Sequence, residues 1–299
     1  MDEKSLRTLE YPKILDRLSG YTSFSASANL VRALRPTNDH ALAAERQERT
    51  TEARRLLSEH PDVSIGGARD VRPQVELAGR GGVLTPQDLL DIKATLVSAR
   101  DLARFLGKLA GRFPRLDTIT PELEPPAGLI EAISKVFSER GDMLDGASEK
   151  LAVLRSEVKA ANERLVNKLE SLINDPATAR MLQEPIVTLR NGRYVVPLRV
   201  EFKGRMRCVV QDQSASGATL FVEPLAVVDL NNRWTEAILA EKEEVQRILE
   251  ALSALVGEHT SAVQTLVRAL ALLDFSLACA RYADDLRASE PLLLTHGGQ

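Results

Sequence analysis

The chain has 299 residues, 44% of them hydrophobic, 27% charged and only 4% aromatic, with a formal net charge of −3. That length allows one large core or two to three smaller modules, and the richness in Leu, Ala, Glu and Arg favours helices over an all-β fold. The slightly acidic balance excludes a polycation and confines any nucleic-acid role to a local basic patch.

Residues 1–126 read as a helical core domain. "LRTLEYPKILDRL" spaces Leu6, Leu9, Ile14, Leu15 and Leu18 near the helical period, and "SFSASANLVRAL" gives a second helix that stops before Pro36. The next helix opens on the cap candidates Asn38 and Asp39 and runs about five turns. In "TPQDLLDIKATLVSARDLARFLG" Thr85 caps, Pro86 takes the first helical position and Gly107 closes. The glycine-rich "AGRGGVL" between these helices reads as a helix-to-helix turn, because no strand precedes it and no lysine follows it as a phosphate loop requires. A proline-rich stretch, "PRLDTITPELEPPAG", breaks the pattern.

Residues 127–180 form a first arm. Its seam steps through Ala147, Leu151, Leu154, Val158, Ala161, Leu165, Lys168 and Leu172, a heptad pattern that Pro176 ends. Residues 225–257 repeat the spacing through Val227, Asn231, Trp234, Ile238, Glu241, Val245, Ile248, Leu252 and Leu255. Two such arms predict an antiparallel coiled-coil hairpin about 40–45 Å long, with residues 181–224 at its far tip. Trp234 lies on the seam and is expected to pack there. Residues 258–299 then hold a return helix, "TSAVQTLVRALALLDFSLACARYADDL", apolar on most sides and so buried in the core.

The tip changes period. Tyr194, Val196, Leu198, Val200 and Phe202 alternate with Arg193, Arg199, Glu201, Lys203, Arg205 and Arg207, which predicts a strand with one buried and one basic face. Parity favours a three-residue turn at Lys203-Gly204-Arg205, with Arg207 beside Glu201 on the next strand. Between Arg190 and Arg207 six basic residues face one acid, a local charge of +5. The candidate phosphate contacts are Arg190, Arg193, Arg199, Lys203, Arg205 and Arg207, joined by the hydrogen-bonding groups of Gln211, Gln213, Ser214 and Ser216. The competing reading is a solvated strand edge blunted by arginines, on a coiled-coil module that docks on a protein.

No catalytic residue and no metal site is assigned. The four histidines, His40, His60, His259 and His296, lack partnering cysteines, and Asp284 and Asp285 are adjacent on a helix and face apart. His259, near a helix break, is expected to cap. "SASG" is not the strand-to-helix elbow of a serine hydrolase. The two cysteines, Cys208 and Cys279, argue against a disulfide framework and fit a reducing compartment. The N-terminus lacks the apolar run of a signal peptide, and no stretch approaches about 20 apolar residues. A cytoplasmic protein without a membrane partner is expected.

One long motif goes further. "LRNGRYVVPLRVEFKGRMRCVVQDQSASGATLFVEP", followed by an arm beginning "LNN", closely resembles the MutS type two family, bacterial paralogues of the MutS mismatch-repair ATPases. "LEYPKILDRLSGYTSFSASANLVRALRP", "GGVLTPQDLLDI" and "DGASEKLAVLR" resemble it too, so the likeness covers nearly the whole chain. The resemblance implies a fold that is mainly α with a small β module: a helical core, lever arms of coiled coil and a β-rich clamp. It implies a parent that is homodimeric, carries an ATPase domain using ATP and magnesium and an Smr-type nuclease domain, and lacks the mismatch-reading domain. Implied partners are branched DNA, with suppression of recombination, and collided ribosomes through their rRNA. No cofactor is expected for this stretch. It is expected to be a non-catalytic piece of a longer protein, ending where the ATPase domain would begin.

Overall fold

The computed structural model describes residues 3–293. It is mainly helical with one small four-stranded antiparallel sheet, and it divides into two compact units, residues 1–142 with 249–299 and residues 143–248. His296 and the end of "LLLTHGGQ" lie outside the described residues.

The first unit begins with α1 (Glu3–Thr8), α2 (Tyr11–Ser19), α3 (Ser25–Ala33) and α4 (His40–Glu59). It continues through α5 (Arg72–Gly79), α6 (Pro86–Gly107), α7 (Pro114–Asp117) and α8 (Leu129–Val136). The caps expected from sequence are in place. The Asp39 carboxylate accepts from the Leu42 amide, and Thr85 and Asp88 satisfy each other's backbone amides in a capping box. Along α6, Leu89, Ile92, Leu96, Ala99, Leu102, Ala103 and Leu106 make one continuous buried stripe.

The long helices that follow in chain order are α9 (Glu149–Ile173), the short α10 (Pro176–Ala179), α11 (Val228–Glu258) and α12 (Thr260–Asp285). The centre of the first unit is α12, which packs on α3, α4 and α5. Its Val263, Leu266, Val267, Leu270, Leu273 and Leu277 are fully buried. By length and hydropathy α12 is the one described helix apolar enough to cross a membrane, contrary to the expectation that no stretch comes near. Its apolar side chains are accounted for by this core. A buried carboxylate on it, Asp274, accepts from the Ser23 amide at 2.7 Å and from the Ser27 hydroxyl, tying α12 to the start of α3. His259 stands at the cap position of α12, but its side chain makes no capping bond there.

Gly257, at the end of α11, lies against the C-terminal turn of α5. A Cβ there would come within 2.7 Å of the Ala78 carbonyl oxygen, backbone that cannot step aside. Gly257→Ala is therefore expected to lower stability by about 1–3 kcal/mol, the usual cost of overpacking. A urea denaturation midpoint equal to that of the parent chain would contradict this close approach.

In the second unit, Ser148 caps α9: its hydroxyl accepts from the Leu151 amide at 3.0 Å and donates to Glu244 of α11 at 2.7 Å. Two turns on, Arg155 bonds Glu241 at 3.0 Å and also reaches Asp145. Near the other end of α9, Leu165, Leu169 and Ile173 share a cluster with Val227, Leu230 and Trp234. The start of α9 thus meets later residues of α11 and its end meets earlier ones, so the two helices run antiparallel. The seam departs from the heptad reading at one place. After Leu165 the buried positions are Leu169 and Ile173, while Lys168 is exposed, because a 3.6-residue turn drifts off a 3.5-residue repeat.

The heptad spacing puts Glu241 on the seam, yet Glu244 is the buried carboxylate. Hydrogen bonds from Arg247 above all, then from Ser148, hold its pKa down at about 2, against an ordinary 4.5. A carboxyl whose folded pKa lies below its unfolded one stabilises fully above the unfolded value. That contribution fades as pH falls toward the folded one. Glu244→Gln is expected to be less stable at neutral pH and to lose less between about pH 5 and pH 2. Parallel pH curves of the urea midpoint for the two proteins would refute the assignment.

Candidate polyanion-binding site

The sheet consists of β1 (Thr188–Arg190), β2 (Arg193–Arg199), β3 (Cys208–Gln213) and β4 (Thr219–Pro224), in the order β1-β2-β4-β3. The alternating sequence predicts β2 and β3 as a hairpin across Lys203-Gly204-Arg205, with Arg207 beside Glu201. The structure places β4 between them instead. Val200–Phe202 form a 3₁₀ turn, and the chain crosses over before β3 begins. The reason is burial. Strand β4 buries Leu220, Val222, Glu223 and Pro224 and takes the centre, whereas β3 carries exposed Val209, Val210, Asp212 and Gln213 and takes the edge. Nor is one face of β2 simply basic, since Val195, Val196, Pro197 and Leu198 are all buried.

A hairpin not expected from the alternation joins β1 to β2. Asn191 and Gly192 both have positive φ, 49° and 74°, as a two-residue type I′ turn requires. The Asn-Gly pair in "LRNGRYVV" is the strongest short-range signal for such a turn, and it was legible. From this turn the Asn191 side-chain amide donates to the Gln211 carbonyl at 2.9 Å. Gln211 is the extra residue of a bulge in β3, so its carbonyl lies outside the regular ladder.

The module is held to α11 by a buried carboxylate. Glu223 is 1% exposed and accepts four hydrogen bonds. Arg193 grips it with Nε at 2.7 Å and Nη2 at 2.9 Å, Gln211 donates at 2.8 Å, and the Asn231 amide donates at 2.8 Å. Arg193 also donates to Asn232 at 2.6 Å. Every acceptor site of the carboxylate is used, as a buried charge requires. Asn231, which interrupts the seam, also serves the sheet. Its amide and carbonyl exchange hydrogen bonds with the Tyr194 backbone, both at 3.0 Å. Continuing the β2–β4 register from Val196 opposite Val222 brings Pro224 opposite Tyr194. Proline has no N–H to offer, and the asparagine side chain stands in for the missing strand. The Tyr194 ring lies 4.9 Å from that of Trp234, which packs against the module as expected.

The ten candidate residues therefore divide. Arg193 and Gln211 are committed to Glu223. Arg190 sits over the Phe221 ring at 4.5 Å, with Asp212 at 3.6 Å. Gln213 donates to the Gly217 carbonyl at 3.2 Å. The Ser214 hydroxyl accepts from the Thr219 amide at 3.1 Å and lies 3.4 Å from that of exposed Ser216. The loop thus closes on itself, with Gly217 at φ 74°. Arg199 donates to the Leu182 carbonyl at 3.1 Å and stays exposed. Arg205 lies over Phe202 at 5.6 Å. Among the described residues Arg199, Lys203, Arg205 and Arg207 have no carboxylate partner, and all four are exposed within nine positions of one crossover segment. The residues that the count of charges missed are Glu223 and Asp212, brought from outside the window, and Asn191, Asn231 and Asn232.

In the other unit, a cavity of about 770 Å³ is lined by His60, Asp62, Ser98, Asp101 and Phe105. Its His60 ring meets Phe105 edge-on at 5.2 Å, and its Ser98 hydroxyl donates to the Ile65 carbonyl. Among the described residues no group of histidine, cysteine and carboxylate side chains could hold a metal ion.

No family model matches the chain. Among curated proteins it is 40% identical, over 98% of its length, to one named endonuclease MutS2 from Pelotomaculum thermopropionicum, of which the aligned part is 37%. The same name is carried by a protein of Symbiobacterium thermophilum, 40% identical over 98% of the chain and 37% of that protein. It is also carried by one of Geobacillus thermodenitrificans, 39% identical over 99% of the chain and 38% of that protein. The chain spans little more than a third of the length of these relatives.

Proposed function

This chain is homologous to the MutS2 endonucleases across almost its whole length, and from that premise we propose that the β module is a clamp binding the phosphate backbone of structured nucleic acid. In this reading α9 and α11 are the lever arms that carry it. The observation that carries the proposal is a run of exposed cations, Arg199 at the end of β2 and Lys203, Arg205 and Arg207 on the crossover after it, none paired with a carboxylate among the described residues. Guanidinium and ammonium groups without carboxylate partners suit phosphates and read no bases, so the target is chosen by shape and charge. Branched DNA and the rRNA of a ribosome both offer that chemistry. The cleavage in the relatives' name belongs, on this proposal, to the larger part of those proteins that this chain does not span. So do the ATP and magnesium chemistry, the homodimer and the recombination or ribosome-rescue roles expected of a cytoplasmic family member.

A second reading, docking on a protein, is favoured by exposed Val209 and Val210 on the edge strand β3. Fluorescence anisotropy with a labelled four-way DNA junction, and sedimentation with ribosomes, over a salt series separates the two. A phosphate clamp loses affinity steeply as salt rises. A shallow salt response, or no binding to either polyanion, would leave the protein-docking reading standing.

A further inference from the structure

In the sheet, β4 lies between β2 and β3, yet the Asn191 amide of the β1–β2 turn bonds the Gln211 carbonyl of β3 at 2.9 Å. The turn therefore folds over β4. It lays the Arg190 guanidinium over the ring of Phe221, a β4 residue, 4.5 Å from the ring centre. Asp212, opposite Phe221 in the register, stands 3.6 Å from the Arg190 Nε. Ring and carboxylate together hold the guanidinium plane in place, while 43% of the Arg190 side chain stays exposed. Glu223 is two positions from Phe221 along β4, so its partner Val209 shares this face of the sheet, and Val209 is exposed as well. Solvent thus meets a flat cation with an apolar neighbour.

These features suit a flat, uncharged ring better than a phosphate. A phosphate drawn to Arg190 would come up against the Asp212 carboxylate, and a guanidinium moving out to meet it would lose its contact with the Phe221 ring. A nucleobase carries no charge and stacks on a guanidinium plane, provided that its own face is free, which holds for unpaired bases and not for those inside a duplex. Resting on the clamp reading above, we propose that Arg190 on Phe221 is a stacking platform for an unpaired nucleobase. The β module then takes single-stranded gaps and loops ahead of plain duplex, with no branch required. Stacking accepts every base, so it adds no sequence preference. Arg207 directly precedes β3 and stands five residues before Asp212, at most about 17 Å along a strand. One nucleic-acid strand can therefore reach both the platform and the proposed phosphate contacts.

Fluorescence anisotropy of the full chain with labelled, unbranched DNA duplexes tests it. One duplex is intact, one has a single-stranded gap of about five thymidines, and one has the same gap made of abasic nucleotides. The two gaps carry the same phosphates and differ only in their bases. A fourth duplex, with uridines in the gap, sets RNA beside DNA, and the tighter of the two identifies the source. The base-bearing gap is expected to bind about tenfold more tightly than the abasic one. Arg190→Lys keeps the charge and removes the plane, and Phe221→Leu removes the ring beneath it. Each, checked for folding by Trp234 fluorescence in urea, should bring that ratio below about threefold. A chain with Arg199, Lys203, Arg205 and Arg207 changed to Gln should lose affinity for all the duplexes together and keep the ratio. Equal affinity for base-bearing and abasic gaps, with a steep salt dependence for both, overturns the platform and leaves the phosphate clamp standing. A ratio that survives Arg190→Lys overturns it too. Failure to bind any of the duplexes overturns the platform and the clamp together.

Discussion

Replacing Glu223 by alanine is expected to destabilise the β module by about 3 kcal/mol, because it strands a guanidinium built into a carboxylate pocket. Arg193 loses both bonds of its bidentate pair, and the amides of Gln211 and Asn231 lose their acceptor. The lower end of the range for broken buried pairs applies, since the Arg193 side chain keeps 23% exposure and can reach water. Urea denaturation followed by tryptophan fluorescence reads the effect locally. Trp234 is the only tryptophan and packs on Tyr194 of β2. The Glu223→Ala/Arg193→Ala double variant should be far more stable than the sum of the two single losses predicts, as for any pair in direct contact. Additive losses, or a single loss below about 1 kcal/mol, would show that the four-donor network is not what holds the sheet to α11.

The second large effect concerns binding. Changing Arg199, Lys203, Arg205 and Arg207 together to Gln should cost little stability, because all four are exposed and none pairs with a carboxylate among the described residues. On a four-way junction or a ribosome the affinity should fall about a hundredfold near physiological salt. The slope of log affinity against log salt should flatten by up to about 3–4, one counterion-release step per lost phosphate contact. A folded quadruple variant with unchanged affinity and slope would remove the crossover segment from the interface. Arg193 is the instructive contrast. It belongs to the same run of charges, but its substitution is expected to act on stability first, through Glu223.

That contrast shows where a charge count stops being informative. Six basic residues against one acid described the segment from Arg190 to Arg207 correctly. Arg193 nevertheless finds its carboxylate 30 positions away, and Arg190 finds Asp212 22 positions on. Which cations remain outward-facing depends on strand order. The alternation within β2 cannot fix that order, because any neighbour of matching period satisfies it. The choice of β4 over β3 as the neighbour of β2 follows from comparing how much apolar surface each strand must bury.

Whatever neighbours along the chain carry was legible in the residues alone. Asp39, Thr85 and Ser148 cap the helices they precede, since a side-chain oxygen meets an amide only three residues ahead. The buried stripe of α6, the burial of α12 on most sides and the Asn191-Gly192 turn are likewise local matters of period and φ. The long motif around the β module was enough to point to the family. Three-dimensional packing was needed for the position of β4, the drift of the α9 seam from Lys168 to Leu169, and the burial of Glu223 and Glu244. It was needed too for the use of Asn231 as a substitute for a strand that proline cuts short. Each of these depends on groups tens of residues apart being desolvated together. A buried charge is tolerated only where the fold delivers its partners, and no local pattern records which partners those are.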